Sequence, residues 1–396
     1  MNKKIPLGIV IALLCISMAV SSSVTLKLIS SQYDEILEGL PQKLDRYEIL
    51  DELDDVINEN FYGKSDEKKL EQAIAQGYVR GLADNSSTYM TAEKYADYKA
   101  QIDGEMLGIG VEYEKNSDGY IRITKVYSGS PAQSSGIKKG DVIVAFDGIR
   151  INESNYEEME QKLLGDRLTS VNIIYRRGEE EKTATVVKGY EAKSVTTDVY
   201  ENVGYIEISN FYPTTASQLE KAVDSFVSSS IAGIVIDLRD NKSSNYADAI
   251  KCLDVFVQMS NSERPAATVV DENENIVMTY STTSGEVNLP VKVLVSKNTA
   301  MAAELFACNI RDFGKAEIIG EGNTKGSAIV QQVFELSSGG AVLLTTGKII
   351  PYSSESFDSV GITPDYTEKG SGSDSGIGAD SQFLFAMNLI IQQSDE

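Results

Sequence analysis

The chain contains no histidine. That excludes every Ser-His-Asp and Cys-His mechanism and every His-ligated metal site at once. A hydrolase built from this sequence must take its base from Lys, Asp or Glu. The three cysteines add little. Cys15 lies in an apolar run, and its Leu13-Leu14 context lacks the small residue expected before a lipidated cysteine. Cys252 and Cys308 each sit in a helical pattern, where a free Cys is usually a small core residue, although an exported protein leaves a disulfide between them open. With 36 Lys+Arg against 59 Asp+Glu and a net charge of −23, the chain lacks the cations that neutralise phosphates, so nucleic acid is excluded as a partner. No metal or other cofactor is expected.

These groups must be held by a chain of 396 residues, which suggests two to three domains, and 42% apolar residues supply ample core. Residues 1–30 read as an export segment: Lys3 and Lys4 precede an apolar run from Ile5 to Val20. It is either a signal peptide cleaved near Ala19–Ser23 or an uncleaved anchor over residues 5–26, close to the ~20 residues a span needs. The lack of a clear A-x-A site favours the anchor. Its lysines place the N-terminus in the cytoplasm and the body outside, and cleavage would make the protein secreted. Residues 31–103 read as helices, with Leu50, Leu53, Val56 and Ile57 at helical spacing.

Over residues 104–189 the pattern changes to short strands and turns. Leu107-Gly108-Ile109-Gly110-Val111 opens the stretch, Gly136-Ile137-Lys138-Lys139-Gly140-Asp141-Val142-Ile143 continues it, and Asp147-Gly148 follows. This resembles a PDZ domain. The resemblance implies that glycines at Leu107–Gly110 let consecutive backbone N–H groups converge on a peptide's terminal carboxylate, with the new strand lying between an edge strand and a helix over Tyr156–Leu164. Tyr156, Met159 and Leu163 share one face of that helix and are expected as the groove wall; the bland alternative is that they are core.

Residues 190–369 turn to α/β. Val203–Ile208 reads as a strand, Thr214–Ser228 as an amphipathic helix, and Gly233–Leu238 and Val291–Val295 as strands apolar enough to be buried on both faces. A helix over Ala302–Asp312 follows. Residues 370–396 hold a Gly/Ser linker and a last helix.

The chain after the export segment resembles the C-terminal processing (tail-specific) serine peptidases of the S41 type. The matching stretches are Tyr89-Met90-Thr91, Val203-Gly204-Tyr205-Ile206, Ile234-Val235-Ile236-Asp237-Leu238-Arg239, Val293-Leu294-Val295, Gly320-Glu321, Val330-Gln331 and Gly361-Ile362-Thr363-Pro364-Asp365. The resemblance implies an α+β and α/β multidomain protein: anchor, helical segment, β-rich PDZ domain and a peptidase-like core of the ClpP/crotonase-like type. It also implies a Ser nucleophile and a Lys base.

Neither residue is in place. The family's S-A-S-A-S-E run reads Thr299-Ala300-Met301-Ala302-Ala303-Glu304, so the nucleophile position holds Met301, whose thioether has no proton to lose. The family's G-K-G-x-V-Q reads Gly326-Ser327-Ala328-Ile329-Val330-Gln331, so the lysine position holds Ser327, a very poor base, beside the family's supporting Gln331. The N-P-G-G that helps form the family's oxyanion site reads Asn241-Lys242-Ser243-Ser244-Asn245, without glycines. Thr299 and Lys325, each two residues early, are the substitutes on offer, displaced by about 6.6 Å at ~3.3 Å per residue. The expectation is a membrane-anchored, extracytoplasmic pseudopeptidase that binds protein C-termini or pairs with an active paralogue, as a homo- or hetero-oligomer. The alternative is an active tail-specific serine endopeptidase using the shifted pair.

Overall fold

The computed structural model describes residue 17 and residues 40–394, apart from 107, 128, 164–168, 258–264, 283–286, 353–355 and 371–376. The expected export segment and Cys15 lie outside the described residues, Ser17 excepted. Among the described residues no helix is long and apolar enough to cross a membrane.

The chain divides into two compact units, residues 1–74 and 75–396. The first contains α1 (Leu40–Asn60), on which Ile49, Leu53 and Val56 are exposed. Helix α2 covers Glu67–Arg80. In the second unit, Thr88–Met90 forms a short strand, β1, where helix was expected, and Thr91 caps α3 (Ala92–Ile102) by accepting the Lys94 N–H.

The PDZ-like region has β2 (Val111–Lys115), β3 (Ile121–Val126), α4 (Pro131–Ser134), β4 (Val142–Phe146), α5 (Tyr156–Gln161), β5 (Ser170–Arg177) and β6 (Glu180–Val187). Its sheet runs β2-β3-β4-β5-β6, which leaves β2 at an edge. Alternation along β5 puts Val171, Ile173 and Tyr175 into a core with Ile121, Ile143 and Phe146.

The following core strings together β7 (Val195–Tyr200), β8 (Val203–Ile208), α6 (Thr215–Ser228), β9 (Gly233–Asp237), α7 (Tyr246–Leu253), β10 (Ala267–Val270), β11 (Ile276–Tyr280), β12 (Val291–Val295), α8 (Ala302–Asp312), β13 (Ala316–Gly320), β14 (Ile329–Glu335), β15 (Ala341–Pro351), β16 (Tyr366–Thr367) and α9 (Ser381–Ser394). The central sheet has the order β7-β8-β9-β12-β13-β16, and β8 through β16 are parallel. Residues of α6, α7 and α8 share one large core with it, including Leu219, Ile250 and Phe306. Phe383, Met387 and Ile390 of α9 pack with Val203, Val235 and Leu294 in a separate core. Burial of both faces explains why β9 and β12 are almost unbroken apolar runs. The exceptions are Asp237 at the end of β9 and Lys292 in β12, a buried amine held 2.5 Å from Glu317 and 3.1 Å from Gln393.

A further sheet joins β1, β15, β10 and β11 in that order, with β14 also on β15. Strand β7 and the β10–β11 hairpin were not anticipated from sequence. Cys252 and Cys308 are both buried and are not joined in the disulfide left open above. Burial pushes the Cys252 thiol well above its ordinary range.

Candidate functional site

The turn that leaves β12 delivers the chain to α8. Thr299 closes it: its hydroxyl accepts the Ser296 N–H at 2.9 Å and donates to the Leu238 carbonyl at 2.9 Å, with the residue fully buried. Met301 then takes φ 55° and ψ −113°, a left-handed conformation strained for any residue with a Cβ. It is the N-cap of α8, flanked in sequence by the buried Ala300, Ala302 and Ala303.

Glu304 secures this strained turn. Its carboxylate is completely buried. Oε2 accepts the N–H groups of Met301 and Ser327, both at 2.9 Å, while Oε1 accepts the Gly326 N–H at 2.6 Å and the Thr324 hydroxyl. A buried carboxylate is tolerable only with this degree of satisfaction. The same Thr324 oxygen accepts the Ile362 N–H at 2.7 Å, which draws in the terminal Gly361-Ile362 stretch. Gly326 has φ 76°, and a Cβ there would stand 2.6 Å from the Gly361 nitrogen, so glycine is required.

Two positions far apart in sequence, Met301 and Ser327, are therefore brought onto a single carboxylate oxygen. Gln331 is turned elsewhere: its Nε2 donates to the Ser86 carbonyl at 2.6 Å. The Thr299–Lys325 pair is in contact only through backbone, Lys325 N–H to Thr299 carbonyl at 3.0 Å. With the Thr299 hydroxyl buried on Leu238 and the Lys325 side chain exposed, hydroxyl and amine do not form a dyad.

The loop 241–245 approaches the start of α8 from the other side. Asn241 anchors it by donating Nδ2 to the Ile208 carbonyl at 2.9 Å, and its own carbonyl accepts the Ala300 N–H at 3.0 Å. The Ser243 carbonyl accepts the Ala302 N–H at 2.9 Å. The N–H after a nucleophile is a usual oxyanion donor. Here that donor is already engaged, and the Met301 N–H is engaged by Glu304.

The PDZ-like loop is strapped in a comparable way. Gly108 and Gly110 have φ 78° and 76°, and a Cβ on Gly110 would stand 2.4 Å from the Ser130 Cβ. Ile109 between them is buried; its N–H donates to the Leu163 carbonyl at 3.1 Å and its carbonyl accepts the Ala132 N–H at 2.9 Å. Leu107 lies outside the described residues. The expectation that consecutive N–H groups of this loop converge on a carboxylate is therefore corrected at Ile109. The groove wall is corrected too. Met159 and Leu163 retain 1% and 2% exposure and Tyr156 8%, because all three pack into the domain core, Leu163 from the turn beyond α5. What stands between the edge strand β2 and α5 is Lys115, whose Nζ lies 4.4 Å from the Tyr156 ring centroid. Burial and the nearby Glu160 carboxylate push the Tyr113 hydroxyl above its ordinary range.

Residues 202–368 match the model of Peptidase family S41, and residues 106–187 match that of a PDZ domain. The core is an S41 peptidase-family domain. Proteins named as CtpA-like serine proteases are similar: that of Staphylococcus haemolyticus is 29% identical over 315 residues, covering 78% of this chain and 62% of its own length. The one from Staphylococcus aureus is 29% identical over 313 residues, covering 79% and 62%. The chain thus spans about 62% of the length of these relatives. A solved structure described as an S41 protease from Bacteroides fragilis superposes with a TM-score of 0.51 at 16% identity, over 84% of this chain and 92% of that one, a likeness of fold.

Within the S41 domain a cavity of about 800 Å3 opens at the carboxyl ends of β8, β9, β12 and β13, and neither Met301, Ser327 nor Gln331 lines it. Its floor is a network in which Arg239 binds Asp237 at 2.7 Å and Asp380 at 2.9 Å, and Tyr205 donates to Asp237 at 2.9 Å. Burial and the Asp237 charge push the Glu207 carboxyl above its ordinary range. Sequence reasoning missed the Ser243–Ala302 contact and the Lys115–Tyr156 pair, since both join segments distant in the chain. The one available signal was Glu304: an acid amid alanines in an apolar helix must have buried partners.

Proposed function

We propose that this protein is a pseudopeptidase of the S41 family, membrane-anchored and facing outside the cytoplasm, that binds the tails of other proteins through its PDZ domain. The observation that carries the reading is the engaged Ala302 N–H: the helix start that would serve a nucleophile and an oxyanion presents a thioether and a donor already bonded to Ser243. Met301 cannot be deprotonated and Ser327 cannot act as an amine base. The open edge of β2 supports peptide binding by strand addition. Pairing with an active paralogue would give such a protein a regulatory role.

The second reading, an active endopeptidase like the relatives' names imply, draws on the adjacency of Lys325 and Thr299. Incubation of the full chain with casein separates the two. No turnover is expected; turnover that vanishes in Thr299→Ala or Lys325→Ala would establish the active enzyme. Tail binding is read on the full chain with peptides bearing free or amidated C-termini. The free form should bind tighter, and equal affinity would remove carboxylate capture.

A further inference from the structure

Edge strands expose unpaired backbone donors and acceptors, and soluble proteins protect them with charge, bulges or shortness. Nearly every edge in this molecule follows the rule. Strand β2 carries Glu112 and Glu114 with a bulge, β6 carries Glu180, β7 carries Asp198, and β14 carries Glu335 and a bulge. Strand β11 departs from it. Among the described edge strands of four residues or more, it alone has no charged residue. Its sequence is Ile-Val-Met-Thr-Tyr, and Ile276, Val277 and Met278 are 64%, 55% and 42% exposed. Consecutive exposed apolar residues on a strand point to both sheet faces, so the apolar surface wraps around the edge.

The turn that leads into β11 supplies direction. Asp271 is fixed as a carboxylate by the N–H groups of Asn273 and Asn275, each at 2.9 Å, and the exposed Glu272 and Glu274 follow. The β11 edge is therefore apolar along its length and negative at its start. A second copy of this chain, with net charge −23, meets the acidic turn with net repulsion.

We infer that the β11 edge is a docking site for an extended segment of a partner protein, apolar at alternate residues and carrying Lys or Arg at the end that lies beside the Asp271–Glu274 turn. The partner would add a strand to the β1-β15-β10-β11 sheet, with backbone hydrogen bonds for affinity and the acidic turn for register. The inference does not depend on whether the S41 site is active.

The test uses the full chain and two fluorescein-labelled, C-terminally amidated peptides, Lys-Lys-Val-Thr-Val-Thr-Val and Glu-Glu-Val-Thr-Val-Thr-Val. Amidation removes the carboxylate that a PDZ groove would take, so a failure here and a failure of tail binding are distinct. By fluorescence anisotropy the basic peptide should bind roughly tenfold tighter than the acidic one, and more weakly as salt rises. Val277→Lys should abolish its binding, and Glu272→Lys with Glu274→Lys should invert the preference. These positions are exposed, and thermal melts of the variants check that the fold is kept. Equal binding of both peptides, or full binding by Val277→Lys, overturns the inference. So does a salt-stable dimer of the wild-type chain that Val277→Lys dissociates, because the occupant would then be a second copy.

Discussion

The start of α8 and the Gly108–Gly110 loop are both places where family chemistry would present backbone N–H groups to a ligand, and they have been closed differently. At α8 the closure is double: the Glu304 carboxylate, three residues on in the same helix, takes the Met301 N–H, and the Ser243 carbonyl of a distant loop takes the Ala302 N–H. In the PDZ domain the closure is partial. One donor, on Ile109, is taken by Leu163, while the β2 edge beside it stays unpaired within its sheet. Loss of a reactive side chain is a point change, but a donor occupied by a neighbouring loop takes the scaffold with it. The first site is thus committed to structure and the second retains a recognition edge.

The contrast is broken most forcefully at Glu304. Glu304→Ala orphans three backbone N–H groups and a hydroxyl in a dry site, and should lower unfolding free energy by about 4 kcal/mol in denaturant titrations. A loss under about 1 kcal/mol would show that water replaces the carboxylate readily. Next in size is Met159→Ala. As a core truncation it should cost about 3 kcal/mol, seen as early melting of the PDZ domain. Unchanged stability with weakened tail binding would instead restore Met159 to the groove wall.

Met301→Gly sharpens the same contrast at lower amplitude. Relief of left-handed strain, about 1–3 kcal/mol, opposes the lost packing of a half-buried side chain, so the net change should stay within about 1 kcal/mol. The smallest effect belongs to Asp84. The Ser87 hydroxyl, then the Ser86 amide and the Thr345 side chain, hold its carboxyl below the ordinary range. A depressed folded-state value gives stability that is present above the unfolded pKa of about 3.9 and lost as pH falls through the folded one. Thermal melts on either side of pH 4 should show Asp84→Asn narrowing that acid-side loss slightly.

Much of this arrangement was legible in the chain. Strand β12 and helix α8 could be bounded because a five-residue run apolar but for Lys292 and a 3.6-residue period are local signals. The PDZ turns were legible because glycine at φ > 0 is a local requirement. The β10–β11 hairpin was not, since Ile276–Met278 lacks the polar alternation that marks a half-buried strand. The helix read over Tyr156–Leu164 ends at Gln161 and leaves Leu163 in a turn, and a helical period cannot say whether Tyr156 and Met159 meet a core or a ligand. The Ser243–Ala302 contact has no signal in either segment alone.

The Glu304 knot also has a consequence in time. Its donors Gly326 and Ser327 lie 22 and 23 residues further along the chain, and Thr324, which shares it, is bonded to a residue 38 positions beyond itself. Such closures form only after the intervening loops have been ordered. A chain emerging N-terminus first can build β12 and most of α8 well before residue 362 arrives. The Glu304 carboxylate is consequently a late-locking element in the birth of the protein, without its Thr324, Gly326 and Ser327 donors until those residues emerge.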